Sequence, residues 1–321
     1  MPDHVRSATL QTARGSFAIL EAQPSRGVAF RRPAVLIPGF TGSKEDFLPI
    51  LEPLASAGRH VYAVDQRGQY QSPHAPSRAG YAPEELAADM LAIADAVAPD
   101  ADGVHLVGHS MGGLIAREAV LKRAAAFLSL TLLGSGPAAL RGERAAGLTD
   151  LLQTLDPRNG NGPDDPAELN DLVRQIWRDQ LEPQARADET SDHIIAFLRE
   201  RTLRTSPLHY IVMARFLLDC PDRTEELAKA AAAACLPMRV VYGENDDAWP
   251  TYEQDEMAER LSADRICIPG AAHSPAVEAP MTTATILTDF WNAAERRQPT
   301  VHSCGRAKRA AAASAIADQA S

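Results

Sequence analysis

Ser110 stands in the run Val104-His105-Leu106-Val107-Gly108-His109-Ser110-Met111-Gly112-Gly113. An apolar stretch leads into it, and a periodic apolar segment with Leu114, Ile115, Ala119 and Leu121 leads away. The spacing predicts a strand, a sharp turn and a helix, with the serine at the turn. Gly108 and Gly112 lie two residues either side of the serine. That spacing suits a backbone forced into a sparsely populated conformation, where a Cβ at either flank would collide with its surroundings. The turn would lift the hydroxyl to a helix N-terminus, whose free N–H groups favour developing negative charge. A serine hydroxyl is a poor nucleophile at neutral pH. It needs an imidazole to take its proton and a carboxylate to hold that imidazole. Asp246, in Gly243-Glu244-Asn245-Asp246-Asp247-Ala248-Trp249-Pro250, and His273, in Pro269-Gly270-Ala271-Ala272-His273-Ser274-Pro275, supply both. Each follows an apolar run, so each is expected in a loop at the carboxyl end of a strand, where such groups gather in open parallel sheets.

The elements that must position these loops can be read along the chain. Residues 7–21 suggest a hairpin turning at Arg14-Gly15. Ala34–Ile37, His60–Asp65, Val104–His109, Phe127–Leu133, Met238–Tyr242 and Arg265–Ile268 are short apolar runs suited to buried strands. Helical periodicity falls between them, after Ser43, after Pro83, after Ser110, and over Leu208–Leu218, Thr224–Ala234, Tyr252–Leu261 and Met281–Ala294. Strand–helix alternation predicts an α/β fold with a mostly parallel sheet and helices on both faces. The alternation stops over residues 138–206, where only helical segments are predicted (Leu148–Leu155, Ala167–Leu181, Ser191–Leu203). This excursion reads as a helical cap. The expected division is a core at 1–137 and 207–295, the cap at 138–206, and a tail at 296–321. The tail carries five basic residues (Arg296, Arg297, Arg306, Lys308, Arg309), one acid (Asp318) and few large apolar residues, so it is expected to be disordered.

These motifs together resemble the α/β-hydrolase superfamily, in its capped esterase and lipase branch. Gly-His-Ser-Met-Gly-Gly is similar to the nucleophile turn of monoacylglycerol lipase-like enzymes. The resemblance implies a Ser110–Asp246–His273 triad in the order serine, acid, histidine. It also implies an oxyanion hole made by the N–H groups of Met111 and Phe40, the latter in Pro38-Gly39-Phe40, where the family often has histidine before the glycine. That departure removes a supporting side chain from the loop and leaves its donating N–H. The loop Asp65-Gln66-Arg67-Gly68-Gln69-Tyr70-Gln71-Ser72 resembles a further family feature, with Tyr70 where glycine is usual and a structural role expected.

Competing assignments are weaker. Asp247 adjoins Asp246, but the spacing from Gly243 favours Asp246 as the acid. His109 is expected to pack or hydrogen-bond locally. No histidine pair has metal-ligand spacing with an acid, so no metal is expected, and no Lys-Ser/Thr follows Gly112-Gly113 to make a phosphate loop. Serine at position 110 argues against the aspartate-nucleophile hydrolases of this fold. Lys and Arg total 32 against 42 Asp and Glu, a net charge of −10, which disfavours nucleic acid or an anionic membrane as partner. The four cysteines are scattered, with no Cys-x-x-Cys. No signal peptide and no membrane span is evident, so a cytoplasmic protein is expected. The expected function is that of a cofactor-independent serine hydrolase acting on a small or medium carboxylic ester. The alternatives on the same triad are carbon–carbon bond hydrolysis, thioester hydrolysis or cofactor-free haloperoxidation. A non-catalytic binding protein on this fold is the remaining alternative.

Overall fold

The computed structural model describes residues 4–24, 31–99, 103–156 and 165–297. The expected tail lies outside them from residue 298 onward. Among the described residues the strands are β1 (Val5–Thr12), β2 (Gly15–Ala22), β3 (Ala34–Ile37), β4 (Val61–Val64), β5 (Val104–His109), β6 (Phe127–Leu133), β7 (Met238–Gly243) and β8 (Asp264–Ile268). They form one sheet in the order β1-β2-β4-β3-β5-β6-β7-β8. The β1–β2 and β2–β4 pairs are antiparallel, and every pair from β4 onward is parallel. The burial pattern explains the residue choice. Every residue of β3, β4, β5 and β6 is buried, because helices cover both faces, so these strands are apolar runs. The edge strands β1 and β8 are mostly exposed or half-buried, and their sequences mix polar with apolar residues.

The helices are α1 (Leu48–Ser56), α2 (Pro83–Val97), α3 (Met111–Arg123), α4 (Gly142–Leu155), α5 (Pro166–Ile176), α6 (Glu182–Ala187), α7 (Asp192–Arg204), α8 (Pro207–Asp219), α9 (Thr224–Ala234), α10 (Thr251–Leu261), α11 (Pro275–Glu278) and α12 (Pro280–Arg297). One core on the α2–α3 side joins Leu106, Leu114, Ile115 and Leu132 to Met90 and Trp249. A second, on the α1–α12 side, holds Leu36, Leu51, Leu54, Val107, Phe290 and Trp291. A third, smaller cluster binds α4, α5 and α8 together through Leu155, Leu169, Val173, Ile176, Leu208 and Ile211. The helix expected over Ala167–Leu181 is interrupted. Trp177–Leu181 forms a π turn between α5 and α6, a local widening that residue periodicity does not show. No helix among the described residues is long and apolar enough to cross a membrane.

Three histidines are locked inside this architecture. His105 on β5 contacts Ser129 Oγ at 2.7 Å and Glu295 Oε1 at 3.1 Å. Burial is the main cause that pushes the pKa of His105 and of His209 down to about 4 from 6.5, and it lowers His109 as well. The unfolded chain would therefore bind protons that the folded one refuses between those two values. Stability from these groups is full above pH 6.5 and drains away as the pH falls toward about 4. The melting temperature should decline steadily across that window, with proton uptake on unfolding. A flat profile in differential scanning calorimetry would contradict the buried neutral imidazoles.

Candidate active site

The β5–α3 turn is built by what its glycines exclude. A Cβ on Gly108 would fall 2.6 Å from Gly113 Cα, and one on Gly112 would fall 2.5 Å from the Ile37 carbonyl oxygen. Ser110 itself has φ 55° and ψ −123°, a conformation that costs a non-glycine residue on the order of 1–3 kcal/mol. Its N–H donates to Leu133 O at 2.9 Å and its own carbonyl accepts from Gly113 N–H at 2.9 Å, which pin the turn on both sides. The serine is 8% exposed and sits at the start of α3.

His273, in the loop after β8, lies with Nε2 3.0 Å from Ser110 Oγ and Nδ1 2.9 Å from Asp246 Oδ1. Asp246, in the loop after β7, also accepts from Ala248 N–H at 2.9 Å and from Gln254 Nε2 at 3.1 Å. Burial works to raise the Asp246 pKa. Hydrogen bonding and charge attraction from His273, with the bonds from Ala248 and Gln254, outweigh it and hold the carboxyl below its ordinary value. Asp247 lies beside this pair but is engaged differently. Its carboxylate makes a two-pronged ion pair with Arg144 of α4, at 2.7 and 3.0 Å, on an exposed surface.

The structure also places the two expected N–H donors. Met111 is the first residue of α3, so its N–H has no partner within the helix. Gly39 abuts the serine: a Cβ there would lie 3.5 Å from Ser110 Oγ. The Gly39 carbonyl is held by Gln69 Nε2 at 2.7 Å. A trans peptide points its N–H opposite its C=O, so Gln69 fixes where the Phe40 N–H aims. Gln66 Nε2 holds the preceding Pro38 carbonyl at 3.1 Å, and the Gln66 N–H donates to Gln69 Oε1 at 3.0 Å. Both glutamines are fully buried. The support missing at Pro38 is thus supplied from the Asp65–Ser72 loop. That loop turns through Tyr70 at φ 36° and is tied down by Lys44, whose Nζ meets Asp65 Oδ2 at 2.8 Å.

Several supporting residues carry no sequence motif. His109 Nε2 lies 2.8 Å from the His273 carbonyl and donates to it, which sets the height of the histidine loop. Gln254, on α10, holds Asp246 and the Trp249 carbonyl together. Glu278 caps the loop from below, accepting from the N–H groups of Ala272 and Ser274. The carboxylates of Asp246 and Asp247 and the His273 ring also cluster closely enough to suggest a cation site. Both ring nitrogens already face hydrogen-bond partners, and the cluster is accounted for by those contacts.

A serine on a strained strand–helix turn, in an eight-stranded mixed sheet of this order, defines the class of protein. Residues 34–285 match the alpha/beta hydrolase family, and the chain belongs to it. Over 109 residues it is 39% identical to "Putative carbamate hydrolase RutD" of Variovorax paradoxus (strain S110), a stretch that spans 34% of this chain and 40% of RutD. Among solved structures it is similar to an esterase from Thermogutta terrifontis, with 19% identity and a TM-score of 0.64 over 90% of this chain and 99% of the esterase. It is also similar to N-acyl homoserine lactonase AidH complexed with N-butanoyl homoserine, with 19% identity and a TM-score of 0.67 over 92% and 99% of the two chains.

Proposed function

We propose that the protein is a serine hydrolase that cleaves a carboxylic ester through an acyl-enzyme. The observation that carries this reading is the continuous contact from Ser110 Oγ through both nitrogens of His273 to Asp246, at 3.0 and 2.9 Å. His273 Nε2 takes the hydroxyl proton as Ser110 Oγ attacks the carbonyl carbon. The oxygen that becomes negative is held by the N–H groups of Phe40 and Met111. Collapse expels the alcohol, which takes its proton from His273. Water then attacks the acyl-serine with His273 again as base, and the acid leaves. Asp246 stays ionised throughout, consistent with its lowered pKa. The helices of residues 138–206 are the cap that covers this site and selects the substrate.

Purified protein should react covalently with a fluorophosphonate probe and hydrolyse p-nitrophenyl esters of increasing acyl length. Failure of both would end this reading. Carbamate hydrolysis on the same residues is the second reading, favoured by the stretch shared with RutD. It would show as turnover of a carbamate where the matched ester is left intact.

The glutamine brace gives a finer test. Gln69→Leu removes the donor to the Gly39 carbonyl and frees the Phe40 peptide to turn. Losing an oxyanion donor outright costs about 10²–10³ in kcat. Loosening one should cost on the order of 10–100-fold in kcat with KM little changed. A rise in KM with kcat intact would show that Gln69 serves binding, not the oxyanion.

A further inference from the structure

The glutamine that holds the Gly39 carbonyl is itself held from outside its own loop. Gln69 is fully buried, and its N–H donates to the Gln66 carbonyl at 2.9 Å, a contact within the turn. Its two chain neighbours are tied elsewhere. Ser206 N–H donates to the Gly68 carbonyl at 2.8 Å, and Tyr70 N–H donates to Thr205 Oγ1 at 3.1 Å. Thr205 and Ser206 are the two residues that join α7 to α8, and both are buried. Thr205 Oγ1 also donates to the Arg201 carbonyl at 2.9 Å, which anchors the hydroxyl in the last turn of α7. The backbone is thus gripped immediately before and immediately after Gln69 by consecutive residues of one distant junction.

Tyr70 shows that this grip is kept against a cost. Its φ of 36° lies in the left-handed region, which a residue with a Cβ enters under strain and glycine enters freely. The tyrosine ring is buried, meets Phe197 of α7 edge-on at 5.8 Å and lies under the Arg204 guanidinium at 5.4 Å. Lys44 Nζ, which also holds Asp65, sits 4.7 Å from the same ring. Glycine would suit the backbone here and would give up every one of these contacts. Beyond the junction, α8 runs against the loop that Gln69 holds: Tyr210 meets the Phe40 ring edge-on at 5.7 Å. The two helices also wall a cavity of about 510 Å³ that reaches Thr41, the residue after Phe40.

We propose that Thr205 and Tyr70 are positioning residues for the oxyanion donor and act through Gln69. The α7–α8 junction clasps the backbone on both sides of Gln69, which keeps its Nε2 on the Gly39 carbonyl and the Gly39–Phe40 peptide beside Ser110. The catalytic part of this assignment rests on Ser110 being the acyl acceptor, whereas the clasp does not.

Thr205→Val keeps the shape of the side chain and removes the oxygen that accepts from Tyr70 N–H, while Thr205→Ser keeps that oxygen. The valine variant should lose about 10-fold in kcat on a p-nitrophenyl ester with KM little changed, and the serine variant should recover most of it. In Gln69→Leu, adding Thr205→Val should change kcat by less than about 2-fold, because the side chain through which it acts is gone. Tyr70→Gly, which relieves the strained φ and drops the ring, makes the same comparison where the valine variant does not fold. A loss that multiplies with that of Gln69→Leu, a loss confined to KM, or no loss at all overturns the proposal. Amide hydrogen exchange reads the clasp without turnover. Gly42 N–H donates to the same Gly39 carbonyl at 3.3 Å. Its exchange should quicken by about 10-fold or more in Thr205→Val and in Tyr70→Gly, and should stay near the wild-type rate in Thr205→Ser. Quickened exchange in a protein that hydrolyses no ester supports the clasp and sinks the acyl-transfer reading alone. Exchange at Gly42 that matches the wild type in both variants overturns the clasp, whatever the activity.

Discussion

Ser110→Ala should lower kcat for ester hydrolysis by on the order of 10⁶-fold and abolish fluorophosphonate labelling. The magnitude follows from how the residues act as a unit. With the hydroxyl gone, His273 has no proton to take and the N–H groups of Phe40 and Met111 have no acyl carbonyl to receive. What survives is the slow attack of water on a bound substrate. Stability should move the other way, or not at all. Ser110 holds φ 55°, and the glycines around it, not its side chain, make the turn possible. A folded, unlabelled, inactive variant is therefore the expected result. A variant that keeps most of the hydrolysis would place the nucleophile elsewhere.

Asp246→Asn should lower kcat by about 10⁴-fold with the fold intact. The carboxylate accepts a hydrogen bond from His273 Nδ1–H at 2.9 Å, which leaves Nε2 free to accept from Ser110. An asparagine that turns its amide N–H toward Nδ1 would favour the opposite tautomer, with the proton on Nε2 and no base facing the serine. Gln254 worsens the case, because its amide donates to Oδ2 and draws the single oxygen of the asparagine there, turning the new N–H toward His273, while the Ala248 N–H on Oδ1 pulls the other way. Asp247→Asn is the matched control. It breaks a solvent-exposed pair with Arg144, worth about 0–1 kcal/mol, and should leave kcat within a few fold. Equal losses in the two variants, or a larger one at Asp247, would reverse the assignment of the acid.

The Ser110 turn was legible in the sequence because its geometry is local. Gly108 and Gly112 are required by contacts within a few residues of Ser110 or with the adjoining strand, and that requirement survives as a short pattern. Asp246 and His273 were legible for a related reason. Each sits in the loop following a strand of the sheet, so their order in the chain follows from the order in which parallel strands are built. The buried strands β3 to β6 were readable as unbroken apolar runs, since both of their faces are covered.

What only the tertiary structure decided are contacts between residues far apart in the chain. Nothing in the run Gln66–Gln69 shows that its amides grip the carbonyls of Pro38 and Gly39, nearly thirty residues earlier. Nothing around His109 shows that its ring supports the His273 backbone. The meeting of Arg201 with Asp46 is of the same kind. A hydrogen bond between distant residues leaves no periodicity, because periodicity records only which face of one element is buried. The sequence by itself determined which residue types stand at the candidate site and the class of scaffold that presents them. Their separations, the glutamine brace behind the Pro38–Phe40 loop and the cavity that reaches Thr41 were set by packing, where each position depends on side chains from several elements at once.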